Sequence, residues 1–547
     1  MKGQMMQYAL STNSIIEYGN RVFPRKEIIS KLPDGCWHRY RFTDMYARAK
    51  KMAGVLINRL GVHRGDRVAT FAWNQYQHLE LYYAIPGAGA ICHPINIRLS
   101  IDQIAYIINH AEDKIIFIDA TLIKLFEQIA SRLNGTPQLV VLAASPAFET
   151  SLKNIIHYED LLTEAEVLDE WIESDENDAC GLSYTSGTTG EPKGVLYSHR
   201  STYLHALSIM TPNAFNISCQ DKALLIVPQF HVMAWGFPFV CVMAGAEMVL
   251  PSCHLQPESL IDIIQKEKCT IANGVPAIWM GVYEALKKNP PNEKLTLKEY
   301  LVGGSAMPMS IMDAMEQDFG IPGVQAWGMT ETSPLGTISR LQPHHYDLPR
   351  QEQLKIRSKQ GIELPGVEIR SVTEEGTTAP RDGETTGEFE IKGPWIVDKY
   401  FRCDHTQGNT GGEWFKTGDT GTIDKDGYMM ITDRKKDLIK SGGEWISSIA
   451  LELALVAHPQ VKEACVIAIP DDRWSERPLA CIVFTDDTEV PAAELRSFLS
   501  GGFAAYQLPD HYISVKQIPK TSVGKLDKKE LRRLYSIGQL GERSRDK

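Results

Sequence analysis

Short apolar runs alternate with helix-like segments over much of the first 300 residues, and this alternation constrains the fold more than any other feature. In the first stretch, the apolar runs are Arg67–Trp73, Ala90–Ile95, Lys114–Asp119 and Gln138–Ala143. The pattern resumes after Ala179, with Leu224–Val227, Glu247–Leu250, Thr270–Ala272 and Tyr300–Val302. Strands that alternate with helices predict a layered α/β domain whose strands are mainly parallel.

The strand pattern changes near residue 360. Gly366–Val372 and Gly387–Lys392 alternate apolar and polar residues, and a turn at residues 424–427 precedes Tyr428–Thr432. This pattern is typical of antiparallel strands joined by hairpins. We therefore predict a β-subdomain that follows the α/β layers.

A basic segment, Arg434 to Asp437, separates the β-subdomain from a second compact region. That region has helix candidates at Ser447–Val456 and Ala492–Leu499 and strand candidates at Ala464–Ile469 and Ala480–Phe484. A charged linker between two cores can change its backbone angles without breaking packing. We predict a large N-terminal domain of residues 1–434 and a small, mobile α+β C-terminal domain of residues 435–547.

Composition indicates a cytoplasmic protein without a broad nucleic-acid-binding surface. The 57 basic and 68 acidic residues leave a formal net charge of -11, which disfavours such a surface. Ten cysteines are scattered without a CxxC pair or a secretory signal, so reduced thiols are expected. The most apolar stretch, Gly236–Leu250, is shorter than the roughly 20 residues that span a bilayer. We predict a buried element there and no stable membrane insertion.

The most informative motif is the run Tyr184 to Gly194, YTSGTTGEPKG, which lies between two apolar runs. Its glycines allow backbone N–H groups to converge on an anion, and its hydroxyls and Lys193 add donors and positive charge. A triphosphate is the expected ligand. The run is not a Walker A loop, because that motif would require glycine at the position of Pro192, so a P-loop NTPase is disfavoured.

This motif resembles the phosphate loop of the adenylate-forming superfamily, which includes acyl-CoA synthetases, peptide-synthetase adenylation domains and luciferases. The resemblance extends from about residue 30 to about residue 535. The run GGSAMP at residues 303–308 resembles the family's adenine-wall segment, and QAWGMTET at 325–332 resembles its next nucleotide motif. A GxSxG hydrolase motif is excluded at the first of these runs, because it would need glycine at Met307.

The resemblance implies a set of nucleotide-binding residues. Trp327 corresponds to the aromatic residue against adenine, Thr330 to an α-phosphate contact, and Asp419 with Arg434 to the ribose contacts. The full set implied for ATP and AMP is Thr185, Ser186, Gly187, Thr188, Thr189, Gly190, Lys193, Gly304, Ser305, Ala306, Ala326, Trp327, Gly328, Met329, Asp419 and Arg434. Mg²⁺ is implied as a cofactor, held by Glu331 with Thr185, since a hard cation prefers oxygen ligands.

The last motif of the family is matched by residues 519–526, PKTSVGKL, which makes Lys525 the implied catalytic lysine. An ammonium beside the reacting carboxylate and α-phosphate stabilises charge that develops in the transition state. With His231, Thr330 and Glu331, Lys525 completes the catalytic set that the resemblance implies.

A second reaction is implied by the family's mobile C-terminal domain. Lys436 corresponds to the hinge position about which this domain rotates. Rotation would replace Lys525 by the segment SGGEW, and the implied coenzyme A contacts are Lys440, Gly442, Gly443, Glu444 and Trp445. The chain is thus predicted to adenylate a carboxylic acid with ATP and then to transfer the acyl group to coenzyme A.

The acid is indicated by residues 228–236, PQFHVMAWG, which resemble the acyl-pocket motif of fatty-acyl-CoA synthetases. His231 would lie beside the carboxylate and Trp235 over the acyl channel, with Gly304 and Met329 also implied as acyl contacts. No acidic residue occurs between Pro228 and Ala246 to pair a substrate amino group, so an uncharged tail is favoured.

Several alternatives stay open on the sequence alone. The acid is predicted to be a medium- or long-chain fatty acid, with 3-methylmercaptopropionate or another short acid as the alternative. A carrier-protein thiol could replace coenzyme A, and luciferase-like oxygenation would use the same nucleotide motifs. A non-catalytic nucleotide-binding module would require a broken site and is disfavoured, because Lys525, Glu331 and Asp419 are all present. The resemblance also implies a possible homodimer formed through the large domain.

Overall fold

The computed structural model describes residues 1, 3–142, 149–163, 165–185, 191–403, 412–441, 444–471, 473–485, 490–521, 524–540 and 544–545. Over these residues the chain forms four β-sheets with helices packed between and around them. In the part of the chain that is described, no helix is both long and apolar enough to cross a bilayer.

The first 200 residues open with a helix and a hairpin and then alternate strands with helices. The elements are α1 (Thr12–Val22), β1 (Glu27–Lys31), β2 (Trp37–Arg41), α2 (Phe42–Asn58), β3 (Arg67–Phe71), α3 (Tyr76–Gly87), β4 (Ile91–Pro94), α4 (Ile101–Ala111), β5 (Ile115–Asp119), α5 (Ile123–Ala130), β6 (Gln138–Leu142), β7 (Ile155–His157), α6 (Tyr158–Thr163), β8 (Ala179–Tyr184) and β9 (Gly194–Ser198).

The alternation continues to residue 357 and then gives way to strands. The elements are α7 (His199–Met210), β10 (Lys222–Leu225), α8 (Phe237–Ala244), β11 (Glu247–Leu250), α9 (Pro257–Glu267), β12 (Ile271–Gly274), α10 (Pro276–Lys288), β13 (Glu299–Val302), α11 (Met309–Phe319), β14 (Gly323–Gly328), β15 (Leu335–Ile338), α12 (Arg350–Arg357), β16 (Ile362–Glu363), β17 (Glu368–Val372), β18 (Gly387–Lys392), β19 (Phe415–Ile423) and β20 (Met429–Arg434).

The remaining residues form the small C-terminal region. Its elements are β21 (Ile439–Ser441), β22 (Glu444–Ile446), α13 (Ser448–Val456), β23 (Val461–Asp471), β24 (Ser475–Phe484), α14 (Ala492–Ser500), β25 (His511–Ser514), α15 (Lys528–Ser536) and β26 (Ser544–Arg545). The sheet order is β22-β21-β24-β25-β26, and β23 pairs with β24. Helices on a mixed sheet confirm the predicted α+β character of this region.

Two large sheets form the α/β layers. The first has the order β7-β6-β5-β3-β4-β8-β9 and is parallel except for the antiparallel pair β8–β9. The second has the order β16-β15-β14-β13-β12-β10-β11-β1-β2, with parallel pairing from β14 through β1. Each strand predicted between residues 67 and 302 is present, with its ends shifted by a few residues at most. The predicted α/β class is confirmed.

The N-terminal hairpin β1–β2 was not predicted from the sequence. Ile28 of β1 pairs in parallel with Met248 of β11, and β2 forms the antiparallel outer edge of the second sheet. Sheet formation therefore joins the start of the chain to residues more than 200 positions later.

The parallel strands and α8 are apolar in sequence because they are buried in the fold. All five residues of β5 are buried, as are all eight of α8, because helices cover both faces of these sheets. The buried position predicted for Gly236–Leu250 is confirmed by these exposures.

A buried charged group lies under the first sheet. Arg48 of α2 bonds through Nε to Oε1 of Glu80 at 2.7 Å, and the Tyr158 hydroxyl donates to Oε2 at 2.7 Å. Burial raises the pKa of Glu80 to about 7, against the opposing effect of Arg48. This carboxyl is therefore half protonated near neutral pH.

The strands β17-β18-β19-β20 form the antiparallel sheet that the sequence predicted near residue 360. The end of β20 contacts the C-terminal region directly, because Asp433 Oδ2 accepts a hydrogen bond from the backbone N–H of Ser448 at 2.6 Å. Lys528 of α15 pairs with Glu452 of α13 at 2.8 Å. The boundary after residue 434 and the mobility of the small domain stay predictions.

Candidate active site

The glycine-rich run connects two paired strands, as predicted. β8 and β9 are antiparallel with Tyr184 opposite Gly194, and the backbone N–H of Thr185 donates to the Lys193 carbonyl at 2.9 Å. The Lys193 N–H in turn donates to Thr185 Oγ1 at 3.2 Å. The tip of the loop, Ser186, Gly187, Thr188, Thr189 and Gly190, lies outside the described residues.

A cavity of about 310 Å³ opens beside this loop. Residues from widely separated motifs line it together: Thr185, Lys193, His231, Trp235, Gly304, Ala326, Trp327, Gly328, Met329, Thr330, Glu331, Arg434, Lys436 and Lys525. Ser305, Ala306 and Asp419 line a larger cleft of about 1100 Å³ that shares Gly304, Trp327, Arg434 and Lys525 with the cavity. Of the predicted nucleotide and catalytic residues, those that the structure describes thus lie at adjoining surfaces.

Asp419 of β19 contacts both Arg434 of β20 and Trp327, the aromatic residue predicted to lie against adenine. Its Oδ2 accepts a hydrogen bond from Trp327 Nε1–H at 2.8 Å, and its Oδ1 lies 3.2 Å from Arg434 Nε. Asp419 and Arg434 face each other because β19 and β20 pair them in register. The carboxylate is therefore fixed at the wall of the larger cleft, where hydroxyl groups of a ligand can approach it.

Glu331 presents a buried carboxylate at the other end of the cavity. It follows β14 in a 3₁₀ turn, is 7% exposed, and accepts a hydrogen bond from the Tyr400 hydroxyl at Oε1, at 2.9 Å. Burial raises the pKa of Glu331, against the opposing effect of the Tyr400 hydrogen bond. Among the described residues Glu331 has no ion-pair partner, so a bound dication would relieve its desolvation. The donor set fits Mg²⁺.

Lys525 reaches the cavity from a tight turn of the C-terminal region. The Thr521 N–H donates to the Lys525 carbonyl at 2.7 Å, and Gly524 adopts a φ of +81° that suits glycine. Lys525 Cε approaches Gly304 so closely that a Cβ on this glycine would lie 3.5 Å away. Burial and the nearby Arg434 lower the pKa of Lys525 to about 8, against the opposing effect of nearby carboxylates. The ammonium would be stabilised by an anion in the cavity.

The segment predicted to contact the acyl group has an unusual backbone. The four residues Val232 to Trp235 all have φ between +46° and +58°, and Gly236 follows at +78°. A left-handed helical turn costs L-residues about 1–2 kcal/mol each, so the surrounding packing must hold it. Such strain is concentrated at ligand sites in many proteins.

His231, which precedes this turn, and Trp235, which lies in it, both line the cavity. Burial and the nearby Lys525 lower the pKa of His231 to about 3, so its imidazole is neutral at physiological pH. Trp235 Cη2 lies 3.1 Å from the position of a Cβ on Gly303, and Met233 packs against Gly181 of β8. The Trp235 ring lines the cavity, and its role as a gate over the acyl channel stays a prediction.

Those predicted coenzyme A contacts that the structure describes, Lys440, Glu444 and Trp445, do not line the cavity. Lys440 and Trp445 lie on the exposed hairpin β21–β22, where the Lys440 ammonium is 4.9 Å from the centre of the Trp445 ring. Glu444 is exposed on the same hairpin, and Gly442 with Gly443 lies outside the described residues. Lys525, not this hairpin, occupies the site in the observed arrangement.

Sequence reasoning missed two tyrosines that hold the site. The Tyr197 hydroxyl donates to the Thr330 carbonyl at 2.7 Å, and Tyr400 bonds Glu331 as described above. Neither tyrosine lies in a motif with a distinctive spacing. The one available signal was that Tyr197 follows the phosphate loop directly along β9.

A second group of potential metal ligands lies away from the cavity. Nε2 atoms of His344 and His345 lie 3.5 Å and 3.4 Å from the Asp426 carboxylate. The backbone N–H of Gln342 donates to His345 Nδ1 at 3.2 Å, so the neutral ring carries its proton on Nε2 and directs it toward Asp426. Both ring nitrogens of His345 are thus engaged in hydrogen bonds.

Comparison with known proteins agrees with this geometry. Residues 17–401 match the family described as AMP-binding enzyme, and residues 450–525 match the AMP-binding enzyme C-terminal domain. A medium-chain fatty-acid–CoA ligase of Ectopseudomonas oleovorans is 41% identical, with 98% of each chain covered. A 3-methylmercaptopropionyl-CoA ligase of Ruegeria lacuscaerulensis is 42% identical, with 97% of this chain and 98% of that protein covered.

A solved structure shares the whole architecture. ATP-bound MatB from Rhodopseudomonas palustris superimposes with a TM-score of 0.81 at 26% identity, with 97% of this chain and 100% of that chain covered. The predicted superfamily, the two-domain fold and the enzymatic role are thereby confirmed. The chain belongs to the AMP-binding enzyme family.

Proposed function

We propose that the chain activates an aliphatic carboxylic acid as its adenylate and transfers the acyl group to coenzyme A. The predicted acyl-CoA ligase activity is confirmed at the level of the class by relatives about 41% identical over nearly the full chain. The observation that carries the site assignment is the convergence of Lys525, Glu331 and Arg434 on one cavity.

In the first half-reaction, a carboxylate oxygen of the acid attacks the α-phosphorus of ATP, and the bond to pyrophosphate breaks. Lys525 would contact the carboxylate and the α-phosphate, where its ammonium stabilises negative charge that grows in the transition state. Neutral His231 would lie beside the carboxylate without adding a charge. Asp419 would accept hydrogen bonds from both ribose hydroxyls.

Glu331 and Thr185 would hold Mg²⁺, which would supply positive charge to offset the charge of the departing pyrophosphate. Thr330 would contact the α-phosphate from the same turn that carries Glu331. Lys193 would bind phosphate oxygens from the base of the glycine-rich loop. Pairing a buried carboxylate with a dication and phosphates is consistent with the raised pKa of Glu331.

In the second half-reaction, the sulfur of coenzyme A attacks the acyl carbon and AMP leaves. The observed arrangement, with Lys525 in the cavity and the β21–β22 hairpin exposed, suits adenylation. We propose that the domain after residue 434 rotates about Lys436 and brings Lys440, Glu444 and Trp445 to the site. Gly443 would then leave room for the pantetheine arm.

The preferred acid is proposed to be a medium- or long-chain fatty acid. The apolar segment Val232 to Ala246 offers no carboxylate to a substrate amino group. The relatives include medium-chain and long-chain fatty-acid–CoA ligases at the same identity as a 3-methylmercaptopropionyl-CoA ligase. A short sulfur-containing acid is therefore the second candidate.

The test is AMP and thioester formation with ATP, Mg²⁺ and coenzyme A across straight-chain acids from acetate to palmitate, with 3-methylmercaptopropionate alongside. A maximum rate with medium- or long-chain acids supports the proposal. A preference for 3-methylmercaptopropionate would make that acid the substrate instead of a fatty acid. Acyl-adenylate without thioester would mean that a carrier protein supplies the thiol. Light emission or oxygen uptake would indicate the luciferase-like reaction instead.

The variant Gly443→Leu separates the half-reactions in the same assay. It should form the acyl-adenylate at the normal rate but fail to produce thioester, because a side chain there would block the thiol's approach. Normal thioester yield from this variant would refute the assigned path.

We also propose a cytoplasmic location and, from the family resemblance, a homodimer. All ten cysteines are free, including six that are buried, which suits a reducing compartment. Sedimentation analysis of the purified chain tests the dimer.

A further inference from the structure

A short connection, residues 395–401, ties the two sides of the candidate site together. Its Val397 N–H donates to the Glu331 carbonyl at 2.8 Å, and its Phe401 N–H donates to the Gly194 carbonyl at 2.8 Å. One end therefore holds the turn that carries Glu331, and the other end holds the strand that leaves the phosphate loop. We call residues 395–401 the bridging segment.

Two more hydrogen bonds hold the bridging segment to residues 333–335, which follow the turn that carries Glu331. Trp395 Nε1–H donates to the Leu335 carbonyl at 3.1 Å, and the Ser333 hydroxyl donates to the Trp395 carbonyl at 2.7 Å. Trp395 is 3% exposed. A segment anchored at several backbone positions can hold a side chain at a defined place in the cavity.

Tyr400 is that side chain, and it contacts two oppositely charged groups at once. Its hydroxyl donates to Glu331 Oε1 at 2.9 Å, and the Lys193 ammonium lies 4.8 Å from the centre of its ring. The ring is 7% exposed and lines the cavity between them. An ammonium over an aromatic face is attracted by the ring quadrupole.

The two charged groups do not pair with each other. In the described parts of the chain, neither Lys193 nor Glu331 has an ion-pair partner, although both line the same cavity of about 310 Å³. Opposite charges in a partly desolvated site attract strongly when nothing separates them. A direct Lys193–Glu331 pair would neutralise both groups and withdraw them from phosphate and metal ion.

We propose that Tyr400 is a positioning residue that keeps Lys193 and Glu331 apart and aims them at the phosphates and the divalent cation of bound ATP. This inference rests on the proposed function, because it assigns Tyr400 a task in binding metal–ATP. The Tyr400 hydroxyl orients the Glu331 carboxylate through its hydrogen bond. The Tyr400 ring attracts the Lys193 ammonium, which therefore does not move to the carboxylate.

Two substitutions separate the contributions of hydroxyl and ring. Tyr400→Phe keeps the aromatic face and removes the hydrogen bond to Glu331. Tyr400→Leu removes both contacts and allows the direct Lys193–Glu331 pair. The matched control is Tyr46→Phe, which removes the 2.7 Å hydrogen bond from a tyrosine of α2 to Glu17, outside the cavity.

The readout is equilibrium binding, measured by calorimetry without any carboxylic acid so that no reaction occurs. ATP is titrated with excess Mg²⁺ and again with a chelator, and AMP is titrated with a chelator as a metal-independent ligand. For Tyr400→Phe we expect about tenfold weaker binding of ATP with Mg²⁺, as for loss of one hydrogen bond to a charged group. ATP and AMP binding without metal should be unchanged.

Tyr400→Leu should in addition weaken ATP binding without metal, because Lys193 would be drawn to Glu331. Wild-type affinity of Tyr400→Phe for metal–ATP would overturn the inference. If Tyr400→Phe instead binds AMP and metal–ATP equally weakly, the role of Tyr400 is merely structural and the inference is also overturned. If the wild-type protein itself fails to bind metal–ATP, the proposed function fails and the inference with it. Wild-type binding with an unaffected Tyr400→Phe variant refutes the inference alone.

Discussion

Adenylation by this protein should fail as pH rises through about 8, because Lys525 must carry its proton to act. Burial and the neighbouring Arg434 lower the pKa of this lysine from 10.5 to about 8. A lowered lysine pKa means that the charged form is lost at a lower pH than for a free lysine. The rate constant should therefore be level below pH 7 and decline above pH 8.

The size of the decline follows from the pKa. One pH unit above the pKa, about one molecule in eleven keeps its proton, so kcat/KM falls about tenfold. Substitution by Lys525→Met removes the charge at every pH and should reduce the rate by roughly 10²-fold or more, as for loss of one preorganised donor. The variant should show no decline of its own between pH 7 and 9.

The assay is acid-dependent exchange of pyrophosphate into ATP, measured at subsaturating substrate from pH 6 to 10. This half-reaction excludes the thiol of coenzyme A, whose ionisation would otherwise add a second pH dependence. Lys525→Arg provides the decisive comparison, because a guanidinium stays charged over the whole range. Its rate should be lower than wild type but level with pH.

Two results would refute the reasoning. A wild-type decline centred near 10.5 would mean that Lys525 is not desolvated in the working site. If kcat/KM of Lys525→Arg declines with pH as the wild type does, the titrating group is not Lys525. Lys436 would be the first alternative to test, because burial also lowers its pKa and it lines the cavity.

Three further predictions concern buried charges. Asp419→Asn should weaken AMP binding about tenfold by calorimetry, since the charged acceptor opposite Trp327 is lost; unchanged affinity would remove Asp419 from the ribose site. Because the pKa of Glu80 is raised from 4.5 to about 7, folding stability should fall by about 3 kcal/mol between those pH values, and chemical denaturation of Glu80→Gln should lack this fall. Lys528→Met should destabilise the fold by about 3–5 kcal/mol, because it leaves the Glu452 carboxylate buried without its ion-pair partner. Adding Glu452→Gln to this variant should restore much of the lost stability. Equal melting temperatures for the wild type, Lys528→Met and the double variant would contradict this.

The parallel strands could be predicted because each is a continuous apolar run. Strand β5, Ile115–Asp119, is buried at every position, and its flanking segments carry clear helix signals. The hairpin β1–β2 could not be predicted in the same way. β2 has the sequence WHRYR with one buried residue, and its role depends on a partner strand far along the chain.

The proximity of the candidate site residues could be predicted where they lie in motifs, but not where the site depends on backbone conformation. Asp419, Glu331 and Lys525 were named from spacing and resemblance, and the structure brings them to adjoining surfaces. The left-handed turn at Val232 to Trp235 has no local signal, because residues with side chains disfavour that region. Tyr400 was missed because a single tyrosine in a loop carries no pattern.

The pairing of β1 with β11 has a consequence for biosynthesis. At about 5–20 residues per second, the hairpin leaves the ribosome roughly 10–40 s before its partner strand. During that interval the strand EIISK, whose three central residues are buried in the final fold, has an unpaired edge. Slower synthesis lengthens this exposure, so the yield of folded protein should depend on how well the nascent N-terminus is shielded by chaperones.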